Sequence, residues 1–253
     1  MNNSHPSHVD LQAAARQIML ENGFEPEFPP EVAQQLAQLD GHPPQAASGG
    51  EVRDLRHLPW SSIDNDTSRD LDQIEVAEKL SDGTTKVMIG IADVDAFVSK
   101  ETPIDLHAGK ETTTVYAGVR NFPMLPERLS TGATSLLEGN ESLCVVTEFS
   151  VDGQSEVVRR NLYRAVVRNH AQLTYNAVGA WLEDRGPAPQ KIAQSPELRS
   201  QLKLQDEAAQ ALRNERYRHG ALNIETDELH AMVLKDNSII LENQGKNRAT
   251  DLI

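Results

Sequence analysis

Apolar residues recur every three or four positions in several stretches of this chain, and that spacing is typical of an amphipathic helix. In the first part of the chain it predicts helices over residues 9–22 and from Pro30, since proline is tolerated in a first turn. Farther along it predicts helices over residues 171–183 and 196–218. A last helix is predicted from Asn247, and we expect the chain to end inside it, as a fragment does.

Apolar runs of a different kind, short and bounded by turn residues, predict strands that pair as hairpins. Asp-Gly or Asp-Asn dipeptides separate the members of each pair and favour tight turns. The run Val87–Ala92 is almost wholly apolar, so we expect it to be buried on both faces. The predicted pairs are residues 74–77 with 86–98, 143–151 with 157–168, and 229–234 with 239–242.

Residues 41–50 are rich in Pro, Gly, Ala and Ser, and this composition predicts a linker. The pattern therefore divides the chain into a helical N-terminal appendage with its linker, residues 1–50, and one larger domain, residues 51–253. Helices and strands of the larger domain mix without strict alternation, which favours an α+β (mixed α/β) fold with a mixed sheet and flanking helices.

Charge and cysteine content narrow the functional classes. The net charge is −14, which argues against general binding along a nucleic-acid backbone, because such binding needs clustered lysine and arginine. The single cysteine, Cys144, excludes an internal disulfide framework and is typical of a reducing compartment. No apolar run approaches the roughly 20 residues of a membrane span, so we predict a cytoplasmic protein without a membrane partner.

The segment Asp64–Gln73 carries the densest charge of the chain. Aspartates occupy its first, third, seventh and ninth positions, and between Asp64 and Glu78 six acidic residues face one basic residue, Arg69. Like charges at this density repel one another, so either water or a hard cation has to solvate them. Carboxylate oxygens are the ligands that Mg²⁺, Mn²⁺ and Ca²⁺ prefer.

Three interpretations of this segment remain open. The first is a solvated acidic turn. The second is a calcium loop from Asp64 at its first position to Glu75 at its twelfth, although its sixth position holds Arg69 where such loops need glycine, and helices are not predicted on both sides. The third is a catalytic Mg²⁺ site, in which Asp70 and Asp72 point the same way on an extended segment and Asp64 returns to the same point.

Three sequence blocks resemble the RNB exoribonucleases, the family of ribonuclease II and ribonuclease R. The first is Ser62–Asp72 and the second is Ile89–Val94. The third, and the most specific, joins Thr114–Tyr116 to Phe122–Ser130, which contains Pro-Met-Leu-Pro, and then to Ser135-Leu136. The resemblance covers about residues 52–253 and is closest to a shorter bacterial branch without N-terminal cold-shock domains.

The resemblance implies the N-terminal part of an RNB catalytic domain. It implies 3′→5′ hydrolysis of single-stranded RNA to nucleoside 5′-monophosphates with Mg²⁺, Mn²⁺ being an alternative ion. Family members continue beyond the position of Ile253, with an arginine and an acid that complete the active site. Protein partners cannot be read from the sequence.

The resemblance also assigns roles to particular residues. Asp64, Asp70 and Asp72 match three of four family aspartates as catalytic residues and metal ligands. The fourth position holds Gln73, which can ligate a metal only through its amide oxygen. Tyr116 matches the tyrosine that stacks on an RNA base, whereas without the resemblance a core tyrosine is the simpler interpretation. Because of Gln73 and the missing continuation, a catalytically inactive module that binds RNA or protein is the alternative function.

Overall fold

The computed structural model describes the chain at residues 10–39, 51–222, 229–233, 239–243 and 245–253. Its helices are α1 (Leu11–Glu21), α2 (Pro30–Gln38), α3 (Pro103–Glu111), α4 (Tyr175–Leu182), α5 (Gln190–Gln194) and α6 (Pro196–Arg218). Its strands are β1 (Arg53–Asp54), β2 (Ser61–Asp64), β3 (Gln73–Lys79), β4 (Thr85–Ala92), β5 (Val115–Tyr116), β6 (Asn121–Phe122), β7 (Glu141–Val151), β8 (Val157–Arg168), β9 (Ala171–Thr174), β10 (Leu229–Val233) and β11 (Ile239–Asn243). Within these ranges no helix is both long and apolar enough to span a membrane.

The described residues divide into two compact units. The first contains residues 10–39 and 98–127 together with the hairpin of β10 and β11. The second contains residues 51–97, 128–222 and 246–253 and holds the large sheet. The predicted linker, residues 41–50, lies outside the described residues.

In the first unit, α2 packs on α3, and polar side chains fix the starts of α1 and α3. Asp10 caps α1 by accepting hydrogen bonds from two backbone amides of the first turn. The Gln35 side chain of α2 bonds with the start of α3, donating to the Thr102 hydroxyl at 3.0 Å and accepting from the Ile104 amide at 2.9 Å. Phe28 lies against the ring of His107, with the ring centroids 4.6 Å apart.

The second unit is built on a seven-stranded sheet of order β1-β8-β7-β4-β3-β2-β9. Its central pairs are antiparallel, whereas the outer pairs β1–β8 and β2–β9 are parallel, so the sheet is mixed. Helix α6 crosses one face of β3 and β4. The predicted α+β class with flanking helices is confirmed, and so are the three predicted hairpins.

Three details of the predicted strand over residues 86–98 and the predicted helix over residues 171–183 are wrong. Strand β4 ends at Ala92 instead of continuing to residue 98, and a short helical turn follows at Val94–Ala96. Ile91 is 42% exposed, so β4 is not buried on both faces to its end. Residues 171–174 form an outer strand, and the helix begins only at Tyr175, because pairing with β2 outweighs the local helical spacing.

Each face of the sheet carries its own apolar cluster. Side chains of β3, β4, β7 and β8 surround Trp60 on one face, and Cys144 is fully buried among them. Burial raises the pKa of the Cys144 thiol to about 12, which keeps it protonated and unreactive at neutral pH. On the other face, Ile63 and residues of α4, α5 and α6 form a second cluster that also contains Ala249.

Gly90 lies against residues of the first cluster. A Cβ atom at this position would lie 3.1 Å from the Cys144 Sγ and 3.3 Å from the Ile74 Cγ1. We therefore expect Gly90→Ala to lower the free energy of unfolding by about 1–3 kcal/mol, the usual cost of overpacking. Urea titration measures the change. Adding Cys144→Ala should recover part of the lost stability. A double variant less stable than both single variants would show that overlap with the Cys144 Sγ is not the cause.

The last described segment, residues 245–253, forms turns instead of the predicted helix. It is fixed to the second unit by Arg248, whose Nε donates to the Asp206 carboxylate of α6 at 2.7 Å and whose amide donates to Glu183 at 2.8 Å. Asn247 packs where α4 has Gly179, since a Cβ there would lie only 2.5 Å from the Asn247 Oδ1. The end of the described chain is therefore part of the folded unit.

Candidate active site

The acidic segment connects β2 to β3 at one end of the sheet. Asp64 is the last residue of β2, and Asp72 directly precedes β3. Ser61 pairs with Glu75 across these antiparallel strands, so Asp64 and Asp72, each three residues from this pair, lie at the same end of the sheet. The structure thus brings together two of the aspartates that the sequence predicts for the site.

A buried leucine anchors the loop between the aspartates. Leu71 is 1% exposed, and its amide donates a hydrogen bond to the Ser135 hydroxyl at 3.0 Å. The same hydroxyl donates to the carbonyl oxygen of Arg69 at 2.9 Å. Both contacts fix the backbone beside Asp70 and Asp72, so the core holds this part of the loop in place.

The aspartates share one electrostatic environment. The pKa of Asp72 is raised, first by the protein that displaces water around it and then by the charges of Asp64 and Asp70, although its side chain reaches solvent. The neighbouring charges that act on Asp72 are therefore negative. A divalent cation would relieve this repulsion, and the oxygen donors are of the type that hard cations prefer.

Glu75 extends this acidic group into the interior. Its side chain is 4% exposed, and its Oε2 atom has no hydrogen-bond partner. Burial, and secondarily the charges of Asp72 and Asp64, raises its pKa to about 8. In the absence of a cation the carboxyl group is therefore mostly neutral at pH 7. The sequence named Glu75 only as the twelfth position of the calcium-loop alternative, because its place in an apolar strand gives no signal of burial without a partner.

Tyr175 is a second residue that the sequence did not single out. It begins α4 directly after β9, and its neighbour Thr174 pairs with Asp64. Burial, followed by the charges of Asp64, Glu75 and Asp72 in that order, raises the pKa of its hydroxyl to about 12. Tyr175 therefore stays a neutral hydrogen-bonding group beside the acids. An aromatic residue at a strand–helix junction was the available signal, but the helix predicted over 171–183 concealed that junction.

Gln73 follows Asp72 in the chain and is the first residue of β3. It pairs with Ile91 of β4 and is partly buried. Its role as a metal ligand stays a prediction. Strands flank the acidic segment on both sides, which removes the helix–loop–helix context of a calcium loop.

Tyr116 belongs to the first unit and lies in the small hairpin of β5 and β6. It is 61% exposed, which excludes the interpretation as a core tyrosine. Nearby, the Met124 amide donates to the Thr114 hydroxyl at 3.3 Å and links the hairpin to the Pro-Met-Leu-Pro segment. An exposed aromatic face is suited to stacking on a base.

The acids do not form a complete cage. Over the part of the chain that the structure describes, no three His, Cys, Asp or Glu side chains are placed so that together they could hold a metal ion. The aspartates and Glu75 are close enough for their charges to interact, as the raised pKa values of Asp72 and Glu75 show. A bound cation would have to draw the carboxylates together.

Comparisons with known proteins agree with the sequence blocks. Residues 52–253 match the RNB domain family. Ribonuclease R of Escherichia coli is 39% identical over 151 residues, which are 60% of this chain and 18% of that protein. Ribonuclease R of Thermotoga maritima is 31% identical over 215 residues, which are 85% of this chain and 30% of that protein. The chain thus spans less than a third of either relative.

A solved structure shows the same fold. Mycoplasma genitalium RNase R in complex with double-stranded RNA superposes with a TM-score of 0.85 and 25% sequence identity. The match covers 96% of this chain and 42% of that one. A match over 96% of the chain is longer than residues 52–253, so the likeness also includes residues before the family match begins.

Proposed function

The chain belongs to the RNB family, and we propose that it acts in 3′→5′ exonucleolytic hydrolysis of single-stranded RNA to nucleoside 5′-monophosphates, with Mg²⁺ or Mn²⁺. The observation that carries the proposal is the placement of Asp64 and Asp72 at one end of β2 and β3, where the charges of Asp64 and Asp70 both act on Asp72. Because the chain spans a fraction of its ribonuclease R relatives, the activity is proposed for the site and not carried over from whole proteins.

In this proposal Asp64, Asp70, Asp72 and the amide oxygen of Gln73 hold the metal. A divalent ion at such a site lowers the pKa of water and neutralises charge on a phosphate. The contribution of the chain is positional: Leu71 fixes the backbone between Asp70 and Asp72, and β2 brings Asp64 to them. Tyr175 offers a neutral hydroxyl at the same place.

The direct test is hydrolysis of 3′-labelled single-stranded RNA with Mg²⁺ or Mn²⁺. We expect release of nucleoside 5′-monophosphates that stops when EDTA removes the metal. The assay should include this chain and, where its gene continues past Ile253, the longer product. Absence of mononucleotides from both would refute the proposed activity.

A second candidate function is an inactive module that binds RNA or protein. Gln73 favours it, because the fourth position of the family motif carries no charge here. If the chain is an inactive binding module, we expect the Gln73→Asp variant to bind RNA without hydrolysing it. Hydrolysis that appears only in the Gln73→Asp variant would instead assign the loss of activity to this position.

Tyr116 is proposed to stack on a base near the RNA 3′ end. We expect Tyr116→Ala to weaken binding of single-stranded RNA by about 1–3 kcal/mol, or roughly 5- to 150-fold in Kd, because stacking contributes that much for each base. Tyr116→Phe is the matched control and should bind as the unmodified chain does. Fluorescence anisotropy with a labelled oligonucleotide measures both, and an equal loss in both variants would contradict stacking.

We also propose that residues 1–50 are an appendage to a catalytic domain that begins at residue 51. The start of the family match at residue 52 supports this boundary. A cytoplasmic location is proposed from the single buried thiol, which is typical of a reducing compartment.

A further inference from the structure

Glu75 is a buried carboxyl group whose surroundings offer it no partner. It is 4% exposed in the middle of the sheet, between β2 and β4, and its Oε2 atom accepts no hydrogen bond. An ionised carboxylate without a partner in such a place costs several kcal/mol, so proteins pair buried charges or give them to a metal.

The polar side chains that α6 places against this part of the sheet form hydrogen bonds with groups other than Glu75. Gln201 donates to the Ser61 hydroxyl at 3.1 Å and accepts from the Ala77 amide at 3.2 Å. Gln205 donates its amide to Gln201. Ser61 and Ala77 are the cross-strand partner and the same-face neighbour of Glu75. The donors around Glu75 therefore serve other acceptors.

Glu75 also lies within reach of the proposed metal site. The charges of Asp72 and Asp64 both raise the pKa of Glu75, and the charges of Asp64, Glu75 and Asp72 all raise the pKa of Tyr175. In β3 it is two residues from Gln73, so the two side chains project to the same side of the strand. Glu75 therefore lies on the same side of β3 as the fourth position of the motif, and the charges of the acidic group reach it.

We propose that Glu75 is a further ligand of the divalent cation, directly or through one water, and that it supplies the carboxylate that Gln73 lacks. The proposal rests on the metal site of the proposed function and extends it by one residue. Mg²⁺ and Mn²⁺ take six oxygen ligands, so three aspartates and an amide leave positions for a fourth carboxylate and for water.

Mn²⁺ binding in the absence of RNA tests the proposal independently of hydrolysis. Titration followed by the electron paramagnetic resonance signal of free Mn²⁺ gives the Kd. We expect Glu75→Gln, which keeps the size of the side chain, to weaken binding about 10- to 100-fold, the range found when groups that support a metal site are removed. Glu78→Gln is the matched control, since it removes one negative charge from an exposed position of the same strand and should leave the Kd nearly unchanged.

Folding is checked by urea titration without metal, in which Glu75→Gln should be as stable as the unmodified chain or more stable. If Glu75→Gln unfolds, Glu75→Asp provides the second variant: it keeps the charge but draws the carboxylate back, and it should still weaken Mn²⁺ binding. Unchanged Kd values for the folded Glu75 variants, with a weakened Asp72→Asn, would overturn the inference and leave the proposed function standing. Failure of the unmodified chain to bind Mn²⁺, or unchanged binding in all variants including Asp72→Asn, would overturn both.

Discussion

Replacing Asp72 by Asn should lower the rate of RNA hydrolysis by about 100-fold or more, since even residues that only support metal ligands contribute 10- to 100-fold. The substitution removes one charge from the acidic group but keeps the size of the side chain and the anchoring of Leu71. Release of mononucleotides from labelled single-stranded RNA measures the loss. The stability of the variant should not fall, because the charges acting on Asp72 are repulsive.

Asp66→Asn is the matched control for this prediction. Asp66 lies in the same loop and carries the same charge, but it is exposed and is not among the groups that shift the pKa of Asp72. It should retain hydrolysis within a few-fold of the unmodified chain. Equal losses in both variants would mean that the loop attracts metal only through its total charge, without a defined set of ligands.

Replacing Arg248 by Met should lower the free energy of unfolding by about 3–5 kcal/mol, because it leaves a buried charge without its partner. The Asp206 side chain is only 7% exposed, and the Arg248 guanidinium, 2.7 Å away, is its ion-pair partner. Charge pairing with Asp206 also raises the pKa of Arg248. Urea titration followed by circular dichroism measures the change.

Two further variants separate charge from packing. Arg185→Met removes an arginine from a mostly exposed pair with Glu183 and should cost no more than about 1 kcal/mol. Adding Asp206→Asn to Arg248→Met should recover part of the lost stability, because the buried charge is then gone. If the double variant is as unstable as Arg248→Met, the effect comes from lost contacts of the arginine stem.

Local sequence signals predicted those elements of the fold that depend on neighbouring residues. Asp-Gly turns predicted the hairpins of β3–β4 and β7–β8, and helical spacing predicted α6 closely. The connection of β2 to β3 places Asp64 and Asp72 at one end of the sheet, as their spacing favours, and their role as metal ligands stays a prediction. Each of these features is encoded within about 30 residues of sequence.

Features that depend on distant pairing could not be predicted in the same way. Residues 171–174 have helical spacing, but they form β9 because β2, more than a hundred residues earlier, offers them an edge. Tyr175 reaches the acidic group only as a consequence of that pairing. Glu75 entered the sequence prediction only as the last position of a calcium loop, and its unpartnered burial depends on α6 covering the sheet from more than a hundred residues away.

Leu71 belongs both to the hydrophobic core and to the acidic segment, so a defect at this residue affects folding and the site together. The residue that separates two functional acids is also a member of the apolar cluster around Trp60. Mutations that loosen this cluster will therefore disturb the spacing of Asp70 and Asp72 even when they lie far from any substrate. In a genetic screen for lost turnover, such variants would be recovered alongside changes to the acids themselves, and only a measurement of folding would tell the two kinds apart.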